Sequence, residues 1–377
     1  MIGRVLEKAI IEKSGTGKAI IIIGARQTGK TTLLSSIFKG NADTLWLDAD
    51  EADVKAMFEN PTSARLRALF AGKKTVIIDE AQRIMNIGIK LKLITDHIPE
   101  IQLVATGSSA FELANEINEP LTGRKWEFKL YPLSFSEMVK HHGLLEEIRL
   151  LNHRLVFGSY PDVVTNQGSE KEILRQLTDS YLFKDILMWE RIKKPEKLVN
   201  LLQLLSFQIG NEVSYNELAK NLGVDNQTVE KYIQLLEQTF VIFRLGAFSR
   251  NLRKEVKRTR KIYFYDNGIR NSLISNFNPP ELRGDIGALW ENYIISERIK
   301  HNHYNNIWAN IYFWRTQDQQ EIDYIEERDG ALHTFEIKWN PGKKARLSKS
   351  FSTAYSNVSF EVINPGNFES FLGCAVR

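Results

Sequence analysis

The chain has 377 residues, 43% hydrophobic and 25% charged, with a net charge of +4, which is enough for two or three domains around a sizeable core. This composition excludes a disordered polymer, and the slight basic excess permits an acidic partner without requiring one. The single cysteine, Cys374, excludes a disulfide framework within the chain, and no apolar run reaches the length of a membrane span.

The opening MIGRVLEKAI lacks the basic start and long apolar core of a secretory signal, so a reducing, cytoplasmic setting without a membrane partner is expected. Four short apolar runs follow: AIIIIG, TLWLDA, TVIIDEA and IQLVATGSS. Such runs are strands buried on both faces of a parallel sheet. Polar residues directly after three of them stand where an open α/β sheet binds ligands.

After the strand at residues 19–23 comes GARQTGKTTLL, which fits the phosphate-loop pattern G-x-x-x-x-G-K-[ST] in its proper strand–loop–helix context. Backbone N–H groups of Gly24, Ala25, Arg26, Gln27, Thr28, Gly29, Lys30, Thr31 and Thr32 would cradle the phosphates of ATP. Lys30 would meet the β- and γ-phosphates, and the Thr31 hydroxyl would ligate Mg²⁺. The earlier GTGKA at Gly15 is rejected: it precedes the strand, and Ala19 stands where a hydroxyl is needed.

TVIIDEAQ delivers Asp79 to a strand's carboxyl edge, suited to holding Mg²⁺, with Glu80 beside it to polarise the attacking water. The next strand ends in Thr106, Ser108 and Ser109; Ser108 is the candidate γ-phosphate sensor, against the alternative of a helix cap. Arg124 in LTGRKWEF is either an arginine finger, in cis or in trans, or a surface arginine in a hairpin.

Residues 149–205 read as helical. SYNELAKNLGVDNQTVEKYIQLLEQ then reads as helix-turn-helix: Ser214 and Glu217 make a capping box, Gly223 ends the first helix, and Asp225 caps the second. Val229, Ile233 and Leu236 share one face, which is core. Asn226, Gln227, Glu230, Lys231 and Gln234 form the outer face. Two strand-like runs follow, joined by a basic stretch with Arg250, Arg253, Lys254, Lys257, Arg258, Arg260 and Lys261. This is the pattern of a winged helix whose basic wing (residues 250–261) touches DNA or RNA phosphates rather than reading bases. A protein contact or a spacer is the alternative.

NPPELRG is a turn-rich break. Beyond it, GALWENYIISERIKHN reads as an amphipathic helix with a stripe of Ala288, Tyr293, Ile295 and Ile299. EIDYIEERDGALHTFEIKW reads as a hairpin turning at Asp329-Gly330. Strand periodicity puts Glu336 and Lys338 on one face, where Asp323 can meet them. That set suits a metal-dependent nuclease and equally an ordinary solvated hairpin. His141, His142, His301 and His303 lie in polar, loop-like contexts without a zinc-ligand pattern. Trp290, Trp314 and Trp339 read as packing residues.

The stretches GARQTGKTTLL, LDADE, IIDEAQ, TGSSAF, LTGR…YPLSFSEM, GSYPDVV and YLFKDIL resemble, in consistent order over nearly the whole chain, a large bacterial and archaeal family of AAA-type ATPases. That family carries a C-terminal domain of unknown function that resembles the restriction-endonuclease fold. The changes of pattern along the chain place boundaries near 150, 195 and 280, and with them the resemblance implies an α/β chain in four parts: an AAA-type P-loop ATPase domain with a parallel sheet at 1–150, a helical lid at 151–195, the winged helix at 196–280, and a restriction-endonuclease-like α/β domain at 281–377. It also implies a nuclease-like order of Glu291 on the helix, Asp323, then Glu336 and Lys338. There the three carboxylates would hold Mg²⁺ and Lys338 would orient or deprotonate water.

The expected activity is Mg²⁺-dependent ATP hydrolysis coupled to nucleic-acid engagement. Two rivals stand beside it: a nucleotide switch that docks a protein on a catalytically dead nuclease fold, and a metal-dependent nuclease regulated by ATP. AAA-type ATPases often assemble into rings, so oligomerisation is possible.

Overall fold

A computed structural model describes residues 1–108, 117, 120–180, 194–249, 260–316 and 318–374. The chain forms two compact units, Met1–Pro132 with Gln238–Phe240, and Leu133–Glu237 with Val241–Arg377.

The first unit is built on five strands: β1 Ala19–Ile23, β2 Thr44–Asp48, β3 Thr75–Asp79, β4 Gln102–Gly107 and β5 Lys125–Lys129. Their order is β2-β3-β4-β1-β5, with every pair parallel. The apolar runs explain the layering: all five residues of β1 are buried, as are the first four of β3. Such strands need cover on both faces, and helices such as Lys30–Phe38 and Ile87–His97 alternate with them along the chain. The strand after Arg124 differs from the hairpin considered for it. It pairs parallel with β1, from Ala19 opposite Lys125 to Ile23 opposite Lys129.

The second unit begins with helices and continues into a seven-stranded sheet of order β12-β11-β10-β9-β7-β8-β6. These strands are β6 Glu212–Val213, β7 Ile242–Ala247, β8 Arg260–Phe264, β9 Asn310–Arg315, β10 Glu321–Arg328, β11 Ala331–Ile337 and β12 Val358–Ile363. The strands on both sides of position 280 share this sheet, because β7 pairs parallel with β9.

The helix-turn-helix expected at 214–238 forms helices Tyr215–Leu222 and Asn226–Gln238. Gly223 takes the left-handed conformation (φ 64°), and Asp225 accepts the Thr228 N–H at 2.7 Å. Only half of the expected capping box is made: the Ser214 hydroxyl accepts from the Glu217 N–H. A complete box forms instead at Ser134 and Glu137, where the Glu137 carboxylate reaches back to the Ser134 N–H at 2.9 Å.

Two further expectations are corrected. The helix Ile286–Tyr304 is not an amphipathic stripe; Leu289, Trp290, Asn292 and the run from Tyr293 to Arg298 are all buried. It is wrapped by protein, with Trp290 and Tyr293 in a hydrophobic core cluster with Tyr263, Phe335 and Phe368. The histidines are helical rather than looped. His141 and His142 end the helix Phe135–His142, and His301 and His303 sit in the last turns of Ile286–Tyr304. Positive charge is favoured there, although burial pushes His301 down to about 4.

Candidate functional site

The loop between β1 and the helix Lys30–Phe38 is held in a phosphate-loop shape by its own backbone. Gln27 (φ 59°) and Gly29 (φ 91°) are both left-handed, and Gly29 stands as the N-cap of the helix without a side-chain cap. The helix therefore starts at a residue that offers no side-chain cap, and the N–H groups of a helix's first turn attract an anion. A Cβ at Gly24 would lie 2.1 Å from the Leu130 carbonyl oxygen, so only glycine fits where the loop leaves β1. Arg4 braces the loop from outside by donating to the Thr28 carbonyl at 2.7 Å and the Tyr131 carbonyl at 2.6 Å. Lys30 is 5% exposed and folds back on the loop, donating to the Gly24 and Ala25 carbonyls at 3.1 Å each.

Because β4 lies between β1 and β3, its carboxyl end joins the loop to the acidic pair. The Thr31 hydroxyl donates to Asp79 Oδ2 at 2.7 Å. The buried Thr106 hydroxyl donates to Asp79 Oδ1. The Glu80 N–H donates to Thr106 Oγ1 at 3.1 Å. Glu80 itself sits in left-handed backbone (φ 49°), a strain that a non-glycine residue keeps only when its surroundings enforce it. Ser108 is near: the Gln82 side-chain amide donates both to Glu80 Oε2 and to Ser108 Oγ, the latter at 2.9 Å. Gln82 was not singled out from the sequence. Its position two residues after Glu80, in the turn Ala81–Arg83, was the available signal.

Lys30, Thr31, Asp79, Glu80 and Ser108 are thus brought together at one edge of the sheet. The oxygens of Thr31 and Asp79 are the hard donors Mg²⁺ takes, and the open helix end suits a triphosphate, so these residues fit Mg²⁺ and ATP. Arg124 is not brought there. It precedes β5 at the amino edge, where its carbonyl accepts the Ala19 N–H at 2.9 Å, about 16 Å of strand away from the loop. Its guanidinium pairs with Asp96 at 2.5 Å. A finger in cis is incompatible with this placement. Of the three hydroxyls at the end of this strand, Thr106 bonds Asp79, and Ser109 lies outside the described residues.

The second unit brings Glu291, Asp323, Glu336 and Lys338 near one another; strand spacing suggested the last three, and Glu291 came from the resemblance. The register of β10 against β9 shifts between Ile322 and Ile325, a bulge of the kind that re-aims a side chain. Asp323 lies in that irregularity and turns inward. Its Oδ2 accepts the Ile337 N–H at 2.8 Å and the Lys338 ammonium at 3.2 Å. Lys338 also stands 3.3 Å from Glu336. Three residues that the sequence reading did not place here complete the group. The Tyr263 hydroxyl donates to Glu291 Oε1 at 2.6 Å, and the Lys261 ammonium stands 3.3 Å from that oxygen and 2.5 Å from Glu321. Lys261 and Tyr263 alternate on β8 and so share a face, a period-2 signal that the basic run obscured. Glu321 stands two residues before Asp323.

Burial pushes the Glu291 carboxyl up to about 7, against the charge of Lys261 and the Tyr263 hydrogen bond. Burial and the neighbouring Asp323 charge push Glu336 up to about 7 as well. Burial alone would lower Lys261, but the charges of Glu291, Asp323 and Glu321 hold its ammonium above the ordinary lysine value. Among the described residues no group of three or more His, Cys, Asp or Glu side chains is arranged to hold a metal ion. The carboxylates named for Mg²⁺ here are taken up by the two ammonium groups instead, and this set does not fit the metal.

The basic wing is corrected at its end. Lys261 is 2% exposed and faces the carboxylates rather than solvent. Residues 250–259, with Arg250, Arg253, Lys254, Lys257 and Arg258, lie outside the described residues. On the second helix of the helix-turn-helix, Asn226, Gln227, Glu230, Lys231 and Gln234 are all exposed, and Val229, Ile233 and Leu236 are buried. Trp290 and Trp314 are buried and Trp339 packs edge-on against Trp290 at 5.6 Å. Among the described residues no helix is long and apolar enough to cross a membrane.

Comparison with known proteins agrees with the first unit and leaves the second unassigned. Residues 16–139 match a family described as an AAA domain, and residues 148–280 and 286–371 match two families described as domains of unknown function (DUF8612 and DUF4143). An uncharacterized protein of Mycobacterium tuberculosis is 26% identical over 324 residues, covering 85% of this chain and 70% of the relative. An uncharacterized protein of Methanocaldococcus jannaschii is 22% identical over 386 residues, covering 96% and 84%. Among solved structures, a Walker-type ATPase of Pyrococcus abyssi superposes with a TM-score of 0.52 at 14% identity, covering 73% of this chain and 96% of that one. That likeness is one of fold. The first unit has the fold of an AAA-type P-loop ATPase.

Proposed function

We propose that the first unit binds ATP with Mg²⁺ and hydrolyses it. The observation that carries this is the 2.7 Å hydrogen bond from Thr31 to Asp79, which sets two hard oxygen donors side by side at the mouth of the glycine-bounded loop. Mg²⁺, when bound, would offset the negative charge of the phosphates. Thr31 and Asp79 would hold it. The loop N–H groups and the end of the helix Lys30–Phe38 bind the phosphates. Lys30, already directed along the loop, supplies the positive charge that the terminal phosphates need. Glu80, fixed in left-handed backbone by Thr106, orients the attacking water and accepts its proton. Ser108 and Gln82 link that carboxylate to the end of β4, next to the loop.

The finer reading couples this site to nucleic acid. The basic run at 250–260 supports it, as an electrostatic contact to phosphates. Neutralising Arg253, Lys254, Lys257 and Arg258 together should weaken binding to DNA and RNA and flatten its salt dependence. Unchanged affinity would remove this coupling from the account.

The nucleotide reading itself is tested by equilibrium binding of a fluorescent ATP analogue to the purified chain, with and without Mg²⁺. Saturable binding that Mg²⁺ strengthens and Thr31→Ala weakens is expected. Equal affinity in both proteins would reject it.

A further inference from the structure

Lys261 reaches the carboxylates of the second unit from β8, far in sequence from the hairpin that carries Asp323. Its side chain is 3% exposed. The ammonium stands 2.5 Å from Glu321 and 3.3 Å from Glu291, and lies 5.5 Å from the centre of the Phe313 ring, whose face also favours a cation. Lys338 pairs with the other two acids, at 3.2 Å from Asp323 and 3.3 Å from Glu336. Each acid that the hairpin pattern offers to a metal therefore already faces an ammonium group.

We infer that Lys261 is a built-in counter-cation that closes this cluster to divalent metal, and that removing its charge opens a divalent-cation site among Glu291, Glu321 and Asp323. A hard divalent cation needs several carboxylate oxygens converging on one point at about 2.0–2.6 Å. Here Glu291 and Glu321, from the helix Ile286–Tyr304 and from β10, converge on a nitrogen instead. The Glu291 oxygen nearest that nitrogen also accepts the Tyr263 hydroxyl at 2.6 Å, so two donors share it. A divalent ion placed among these acids would sit within a few ångströms of a buried positive charge, where low dielectric makes the repulsion strong. The strand of Lys261 is paired on both edges, with β6 and with β7, and its side chain is enclosed, so moving the ammonium aside to admit one is costly. In this reading the carboxylates join the helix to the sheet, and the nuclease-like order of acids is kept without its metal.

The test is a Mn²⁺ titration followed by electron paramagnetic resonance, on the full chain without nucleotide. All proteins carry Asp79→Asn, so that the phosphate-loop acid does not contribute. With Lys261 in place, no Mn²⁺ binding that depends on Asp323 is expected. Lys261→Met should gain about one Mn²⁺ site per chain, and adding Asp323→Asn should abolish it. Lys261→Arg, which keeps the charge, should stay closed. If Lys261→Met does not fold, the neutral Lys261→Gln carries the same comparison. Mn²⁺ binding with Lys261 present that Asp323→Asn removes would overturn the inference. So would a folded, charge-neutral variant that gains no site.

Discussion

The Thr31 hydroxyl and the Asp79 carboxylate, 48 residues apart in the chain, meet across a 2.7 Å hydrogen bond. The buried Thr106 hydroxyl donates to the other oxygen of the same carboxylate. Asp79 is thus structural as well as a candidate metal ligand, and the two roles separate by substitution. Asp79→Ala leaves the Thr106 proton without its acceptor in a buried setting, which costs about 1–3 kcal/mol. Asp79→Asn keeps an acceptor there and should melt within a degree or two of the parent, while losing the Mg²⁺ dependence of ATP binding. Thermal melts beside nucleotide titrations with and without Mg²⁺ check both expectations.

Gly24→Ala tests the loop. A Cβ there would meet the Leu130 carbonyl at 2.1 Å, and both atoms belong to backbone that carries the sheet. The loop or the chain at Leu130 must shift, at a cost of at least about 2 kcal/mol. A lower melting temperature is expected together with loss of nucleotide affinity. An ordinary melt with full ATP binding would show that the exit from β1 is looser than described.

Glu326 predicts a pH dependence. Burial pushes its carboxyl up, but the bidentate Arg298 outweighs this, with Asn302 and Arg328 adding to it, and holds the group below the ordinary glutamate value. A carboxyl lowered in the folded state contributes stability that is fully present above its unfolded value, near 4.3, and is lost as pH falls through the folded value. Glu326→Gln should cost about 3–5 kcal/mol at pH 7, because Arg298 is left buried without its counter-charge. The gap between parent and variant should narrow on acidification below about pH 4. Denaturant unfolding from pH 7 to pH 3 measures it, and a gap that does not change with pH would contradict the assignment.

The C-terminal cluster predicts a null result in a cleavage assay. With its acids paired to Lys261 and Lys338, the purified chain should not cut single- or double-stranded DNA with Mg²⁺ or Mn²⁺, with or without ATP. Asp323→Ala should instead lower stability, since Asp323 Oδ2 accepts the Ile337 N–H as well as Lys338. Metal-dependent cleavage lost in Asp323→Ala would restore the hairpin as an active site.

What the sequence made legible follows the range of each signal. The phosphate loop and Asp79-Glu80 are local patterns at strand ends, so period and composition located them. The hairpin was equally local: Asp329 and Gly330, both left-handed, turn it where the dipeptide indicated. The contacts that change the chemistry are between segments distant in sequence. Lys261 was one positive charge in a run of seven basic residues, and nothing local marked it as the one that turns inward. Its burial depends on β8 lying within reach of the helix that carries Glu291. The bulge that aims Asp323 and the parallel pairing that puts Arg124 at the far edge are likewise set by strand register, which no single segment encodes. Ser134-Glu137 was missed and Ser214-Glu217 over-read for a smaller reason. The two capping patterns look alike, and the surrounding burial decides which closes fully.

The measurement that tests the central claim most directly is ATP turnover and nucleotide retention, side by side, in the parent chain, Lys30→Ala and Glu80→Gln. The account predicts phosphate release by the parent, no ATP binding by Lys30→Ala, and a Glu80→Gln protein that holds ATP with turnover reduced by at least about a hundredfold. Lys30→Ala that binds and hydrolyses ATP as the parent does would contradict it.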